Sequence, residues 1–224
     1  MTIASTVRSM VPDTWFGVGL HRDFPDNPYG NVADGFFTTE DDVPYRNLQD
    51  ETSDLSLVNA ALMLGSGGGN DTPESQIESL YLTATGMGLV YPTDTASASI
   101  PPKVCVASPD DPAPPRGYPC FRPGALPIVV LVTDADFHNG VTPGDEYAGP
   151  VASVAHTNAD AVTALSNIGA RFIGVNLGAA RPDMEFIANG TGSIGSTLEC
   201  SSLRQTSTSG PAALRSRKRS RRNR

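Results

Sequence analysis

The sequence predicts an α/β fold built on a mostly parallel sheet. Residues Ile128 to Val132 form an unbroken apolar run, rich in β-branched side chains, that stops at Thr133-Asp134. Such a run reads as an inner strand of a parallel sheet, buried on both faces. Strand-like and helix-like segments alternate in the order β-α-α-β-α-β, the pattern of a layered α/β domain. The chain has 224 residues, 39% of them hydrophobic and 18% charged, enough for one globular domain with a sizeable core.

The elements follow in order. Ile3, Val7 and Met10 lie on one face of a short helix that Pro12 and Asp13 end. Trp15 to Leu20 reads as a strand leading into His21-Arg22-Asp23. A turn-rich loop, a short strand at Phe36 to Thr39 and an acidic surface loop from Glu40 to Glu51 come next. Ser53 or Asp54 can cap a helix over Leu55 to Leu64, which Gly65 to Gly69 ends. No Gly-Lys-Ser/Thr follows those glycines, so they do not form a phosphate loop. A second helix runs from Ser75 to Thr85, with Pro73 and Glu74 at its start, where Pro and acids are favoured. Residues 87–124 are Pro-rich and aperiodic and read as an extended surface insertion. After the central strand come a helix at Asn158 to Ile168, a strand at Arg171 to Val175 and a helix at Arg181 to Ala188. Residues 201–224 form a basic tail whose composition is that of disorder.

Charge and cysteines narrow the function classes. Seven of the 16 basic residues fall in the last ten positions, leaving nine against 24 acids elsewhere. An acidic body argues against nucleic acid as a partner and favours divalent cations or an extracellular setting. No apolar run is long enough to span a membrane, and the first residues lack the pattern of a signal peptide. Cys105 and Cys120 flank part of the insertion and can close it as a disulfide in an oxidising compartment, with Cys200 left over. His21, His138 and His156 have no nucleophile partner in the sequence and read as ordinary surface or loop histidines.

Two oxygen-rich clusters stand at element ends, Asn70-Asp71-Thr72-Pro73-Glu74 and Thr133-Asp134-Ala135-Asp136. In open α/β sheets, ligands bind beyond the carboxyl ends of strands, and hard cations take oxygen ligands. Taken in order, these pieces resemble the von Willebrand factor A domain, and within it the integrin β-subunit version. Asp71-Thr72-Pro73-Glu74 is similar to that family's Asp-Ala-Pro-Glu loop, and Leu131-Val132-Thr133-Asp134-Ala135 to its strand ending in Thr-Asp-Ala. Gly169 to Val175 resembles its next strand and Thr191-Gly192 its late loop.

The resemblance implies a Rossmann-like three-layer von Willebrand factor A fold over residues 1–200. It implies a metal-ion-dependent adhesion site in a non-enzymatic module that binds a protein ligand through the ligand's carboxylate, at the cell surface or outside the cell. Its ion would be Mg²⁺ or Mn²⁺, held by Glu74 and Asp134, with Asp136 nearby and Thr72 as an alternative hydroxyl ligand. Asp71 and the Pro73 carbonyl would match an adjacent Ca²⁺ site. Two departures matter. The family's Asn lies two residues before the Asp, where this chain has Gly69. Its first strand, which is central and ends in Asp-x-Ser-x-Ser, has no counterpart before Trp15. The expectation is a fragment with an incomplete site that binds metal weakly. One alternative is a remnant without activity. Another is a Mg²⁺-dependent phosphatase of the haloacid dehalogenase type, which Asp134-x-Asp136 also resembles.

Overall fold

The structure is a computed structural model and describes residues 3–31, 42–63, 69–107 and 113–193, together with the backbone of 197–199. The expected strand at Phe36 to Thr39, the basic tail and Cys200 lie outside the described residues. The chain is mixed α/β. Its elements are α1 (Ile3–Met10), β1 (Phe16–Leu20), β2 (Arg46–Thr52), α2 (Leu55–Ala61), α3 (Gln76–Thr85), β3 (Leu89–Pro92), β4 (Ser97–Ile100), β5 (Ile128–Thr133), α4 (Gly149–Ala152), α5 (Asn158–Asn167), β6 (Arg171–Asn176), α6 (Arg181–Gly190) and β7 (Thr197–Glu199).

The strands form three short sheets. β1 pairs antiparallel with β2, β3 with β4, and β5-β6-β7 is parallel. Among the described residues, β1 and β5 each pair on one side only. The expectation of one mostly parallel sheet therefore gives way to a parallel three-stranded unit beside two antiparallel pairs.

Burial on both faces of the central strand is also corrected. Leu131 and Thr133 are buried, whereas Ile128, Val130 and Val132 are 52%, 56% and 52% exposed. Helices α3, α5 and α6 contribute to a core with Leu131 and Phe172, and that core covers one face of β5 and β6. The run looked continuous because its outward positions are as apolar as its inward ones.

The acidic segment is not all surface loop. Its second half is β2, a polar strand paired along β1, and Asp42 and Tyr45 before it are buried. β2 is tied by an ion pair between Lys103 and Asp50 at 2.6 Å and by the Arg122 amide donating to Glu51 at 2.9 Å. Those side-chain contacts stand in for the apolar alternation that a strand reading needs.

The Pro-rich insertion is partly internal. It holds the β3–β4 hairpin, and Leu89, Tyr91 and Tyr118 enter a second core with Phe24, Tyr29, Tyr45, Leu82 and Tyr147. Cys105 and Cys120 form a disulfide, with Cα atoms 5.6 Å apart. Between the two cores lies α3, which sends Ile77, Leu80 and Ala84 to one and Leu82 to the other. A helix wedged between two cores has a fixed N-terminus, and the candidate site is built there.

Candidate metal centre

Two of the loops singled out from the sequence run side by side. The Glu74 amide donates to the Asp136 carbonyl at 3.0 Å, and the His138 amide donates back to the Glu74 carbonyl at 2.9 Å. Glu74 and Phe137 thus make an isolated parallel bridge. Two residues on, the Gln76 side chain donates to the Thr133 hydroxyl at 3.0 Å and to the Ala135 carbonyl at 3.2 Å. The Ser75 amide meets the Arg22 carbonyl at 3.2 Å, and its hydroxyl donates to the Pro44 carbonyl at 2.8 Å. Consecutive residues at the start of α3 therefore fasten the ends of β1 and β5 to one rim. Pro73 and Glu74 are not in the first helical turn, as the sequence suggested: Ser75 is the N-cap and α3 begins at Gln76.

The chemistry of that rim centres on His138, which is 3% exposed and no surface histidine. Its Nδ1 lies 2.7 Å from the Asp145 carbonyl, so it carries the proton and donates. Its Nε2 faces two carboxylates, Asp23 at 3.3 Å and Asp71 at 3.2 Å. Burial opposes protonation of the imidazole, but the hydrogen bond and charge of Asp23 outweigh it and raise its pKa. The ring stacks on Tyr147 at 4.1 Å, and the Tyr147 hydroxyl donates to Asp23, which is fully buried. Burial raises the Asp23 carboxyl, and its bonds to His138, Tyr147 and the Phe24 amide only partly offset that.

Glu74 completes the crowding. Burial, followed by the charges of Asp23, Asp42 and Asp71, lifts its pKa to about 8. Gly69 sits against it with φ +79°, where a side chain is strained, and a Cβ there would lie 2.7 Å from Glu74 Oε1 and push the carboxylate aside. Asp42 is fully buried and accepts from the Asn31 amide at 2.8 Å and the Gly69 amide at 3.1 Å. Among the described residues its Oδ1 makes no hydrogen bond and has Arg22 at 4.0 Å. Glu74 Oε2 is likewise buried with no hydrogen bond among the described residues.

Like charges held close and out of water need a counter-charge or must neutralise. Asp23, Asp71 and His138 offer ligand atoms within 4.8 Å of one another and can hold a metal ion. A histidine that donates its other ring N–H to a backbone carbonyl is oriented as metal-bound imidazoles are.

The sequence-derived residues divide on this geometry. Asp71 belongs to the group and Glu74 adjoins it. Pro73 is partly buried, Thr72 is exposed, and Asp134 and Asp136 lie outside the group on the adjoining loop. Asp134 is exposed and acts on His21, whose pKa burial pulls down to about 4 against the raising effect of that carboxylate. Asp23, Asp42 and His138 were missed as site residues. Asp23 follows a predicted strand just as Asp134 does, and the same strand-end reasoning would have found it. Compared with known proteins, the chain matches no protein-family model and no curated protein.

Proposed function

We propose that the chain is a metal-dependent protein-binding module of the adhesion type, working outside the cell or at its surface. The observation that carries this reading is the Asp23–Asp71–His138 group, with Asp23 and His138 buried and Asp71 open to solvent, and beside it a Glu74 oxygen that has no hydrogen bond among the described residues. Asp23, Asp71, Glu74 and the His138 Nε2 would hold the ion, and the carboxylate-rich donor set suits Mn²⁺, Mg²⁺ or Ca²⁺. A bound cation supplies charge that a ligand carboxylate can complete. Thr72, next to Asp71 in the chain, is exposed to the solvent from which such a ligand would arrive. The weak binding expected from an incomplete ligand set is revised here, because Asp23 and His138 add donors that were not counted.

Water-proton relaxation tests the reading. Mn²⁺ bound to the chain should enhance relaxation, and a Gly-Asp-Ser peptide should reduce that enhancement by displacing coordinated water. Gly-Asn-Ser should not. Equal effects of the two peptides would remove carboxylate recognition from the account.

A further inference from the structure

The chain contains two Asn-x-Ser/Thr triplets, Asn70-Asp71-Thr72 and Asn189-Gly190-Thr191. Such a triplet is an acceptor for N-linked glycan in an exported protein. We propose that the folded chain carries an N-linked glycan on Asn189 and none on Asn70. The inference rests on the extracellular part of the function proposed above. Independently of it, the Cys105–Cys120 disulfide belongs to an oxidising compartment.

The two asparagines differ in what their amides do. Asn189 is exposed near the end of α6, and its side chain makes no hydrogen bond among the described residues. The Asn70 amide is used at every atom. Its Nδ2 donates to the Gly30 carbonyl at 3.1 Å and to Asn31 Oδ1 at 2.8 Å, and its Oδ1 accepts from Asn31 Nδ2 at 2.6 Å. A sugar on that Nδ2 would replace one of its two hydrogens and break part of the lattice that holds Gly69 and Asp42 against Glu74.

Position separates them further. β6 starts at Arg171, whose guanidinium donates to the Thr191 carbonyl at 2.7 Å, so the end of α6 lies at the start of the strand. The metal-capable rim is at the other end of the parallel strands, beyond Thr133. Six residues of strand separate the two ends by about 20 Å. A glycan on Asn189 leaves the rim clear, whereas one on Asn70 would stand beside Asp71.

Transfer precedes folding. In the folded chain the Thr191 hydroxyl is buried and donates to the Ile187 carbonyl at 2.9 Å. The extended chain must therefore be the substrate. A chain given a sugar on Asn70 could not then rebuild the bonds of that amide to Asn31 and Gly30, so it is the folded chain that is bare at Asn70. Asn189 Nδ2 attacks the anomeric carbon of the first N-acetylglucosamine of a polyprenyl-pyrophosphate oligosaccharide. The N–C bond forms and the C–O bond to phosphate breaks. Polyprenyl pyrophosphate leaves with the electron pair, and one Nδ2 proton passes to a base of the transferase.

The test is expression of the full chain behind a cleavable secretory leader in animal cells, with site mapping by mass spectrometry on cells and medium together. The expected result is a single glycan on Asn189. Its mobility shift should be removed by peptide-N-glycosidase and by Asn189→Gln and retained in Asn70→Gln. Disulfide-bonded chain with Asn189 unmodified, chain whose disulfide does not form, or disulfide-bonded chain with a glycan on Asn70 would each overturn the proposal. Site mapping on the unaltered chain keeps the result independent of whether either variant folds. Mn²⁺ titration of unglycosylated bacterial protein separates failure here from failure of the metal-site reading.

Discussion

Replacing Glu74 with Gln should make the metal-free protein more stable at pH 8. The folded carboxyl has its pKa moved from 4.5 to about 8 by burial and by Asp23, Asp42 and Asp71. Between those values the folded state binds the extra proton, so stability falls as pH rises. One pKa unit is worth about 1.4 kcal/mol, which makes the loss from this group on the order of 3–4 kcal/mol between pH 5 and pH 8. Glutamine keeps the shape and cannot ionise. In excess chelator, urea unfolding should show the variant about 2–4 kcal/mol more stable than the parent at pH 8 and nearly equal at pH 5. His21 titrates with the opposite sign: its pKa is lowered from 6.5 to about 4, so its contribution grows as pH rises through that window. That contribution is common to both proteins and cancels in the difference. Saturating Mn²⁺ should narrow the difference, because the parent offers the ion one more carboxylate and gains more by mass action. A variant less stable than the parent at pH 8 in chelator would refute the reasoning, since Glu74 would then be a partner and not a repelled charge.

Removing the Cys105–Cys120 disulfide as the double Ser variant should cost about 3 kcal/mol on the loop-entropy account, read as a drop in Tm of roughly 6–12 °C. Asp183→Ala should cost about 2–4 kcal/mol in urea unfolding, because the buried Asp183 carboxylate accepts from the Phe137 amide at 3.3 Å and the Val141 amide at 2.6 Å. Gly140→Ala should be at least as damaging, as the added Cβ would lie 2.1 Å from Asp183 Oδ1. Val130→Thr, on the outward face of β5, should change stability by less than about 0.5 kcal/mol; a loss like that of a core valine would mean the face is covered.

Much of the fold was legible because local signals were strong. α5 has a capping box, with Thr157 and Asp160 bonded to each other's backbone, ahead of apolar positions at helical spacing. α2 starts where Asp54 accepts from the Ser56 amide at 2.8 Å. The ends of α3 and β5 were found with their acids. β2 was missed because its side chains are held by groups distant in the chain, the Lys103 ammonium and the Arg122 backbone amide, and no period in Arg46 to Thr52 announces them. The exposed face of β5 was missed because hydrophobicity says what a residue prefers, not whether a neighbour covers it. The site was legible in half. Asp71 and Glu74 stood out as a motif, whereas Asp23, Asp42 and His138 reach the same place from loops whose approach depends on Gly69, Asn70 and the packing of Tyr147. His138 looked inert because a lone histidine carries no mechanism until its orienting carbonyl, here that of Asp145, is known.

Calorimetric titration of the metal-free chain with Mn²⁺ at pH 7.5 tests the central claim most directly. A saturable isotherm of one ion per chain is expected, weakened about tenfold or more by Asp23→Ala and by Asp71→Ala and much less by Asp136→Ala. The absence of binding heat under conditions where the chain is folded, or an isotherm indifferent to Asp23 and Asp71, would contradict it.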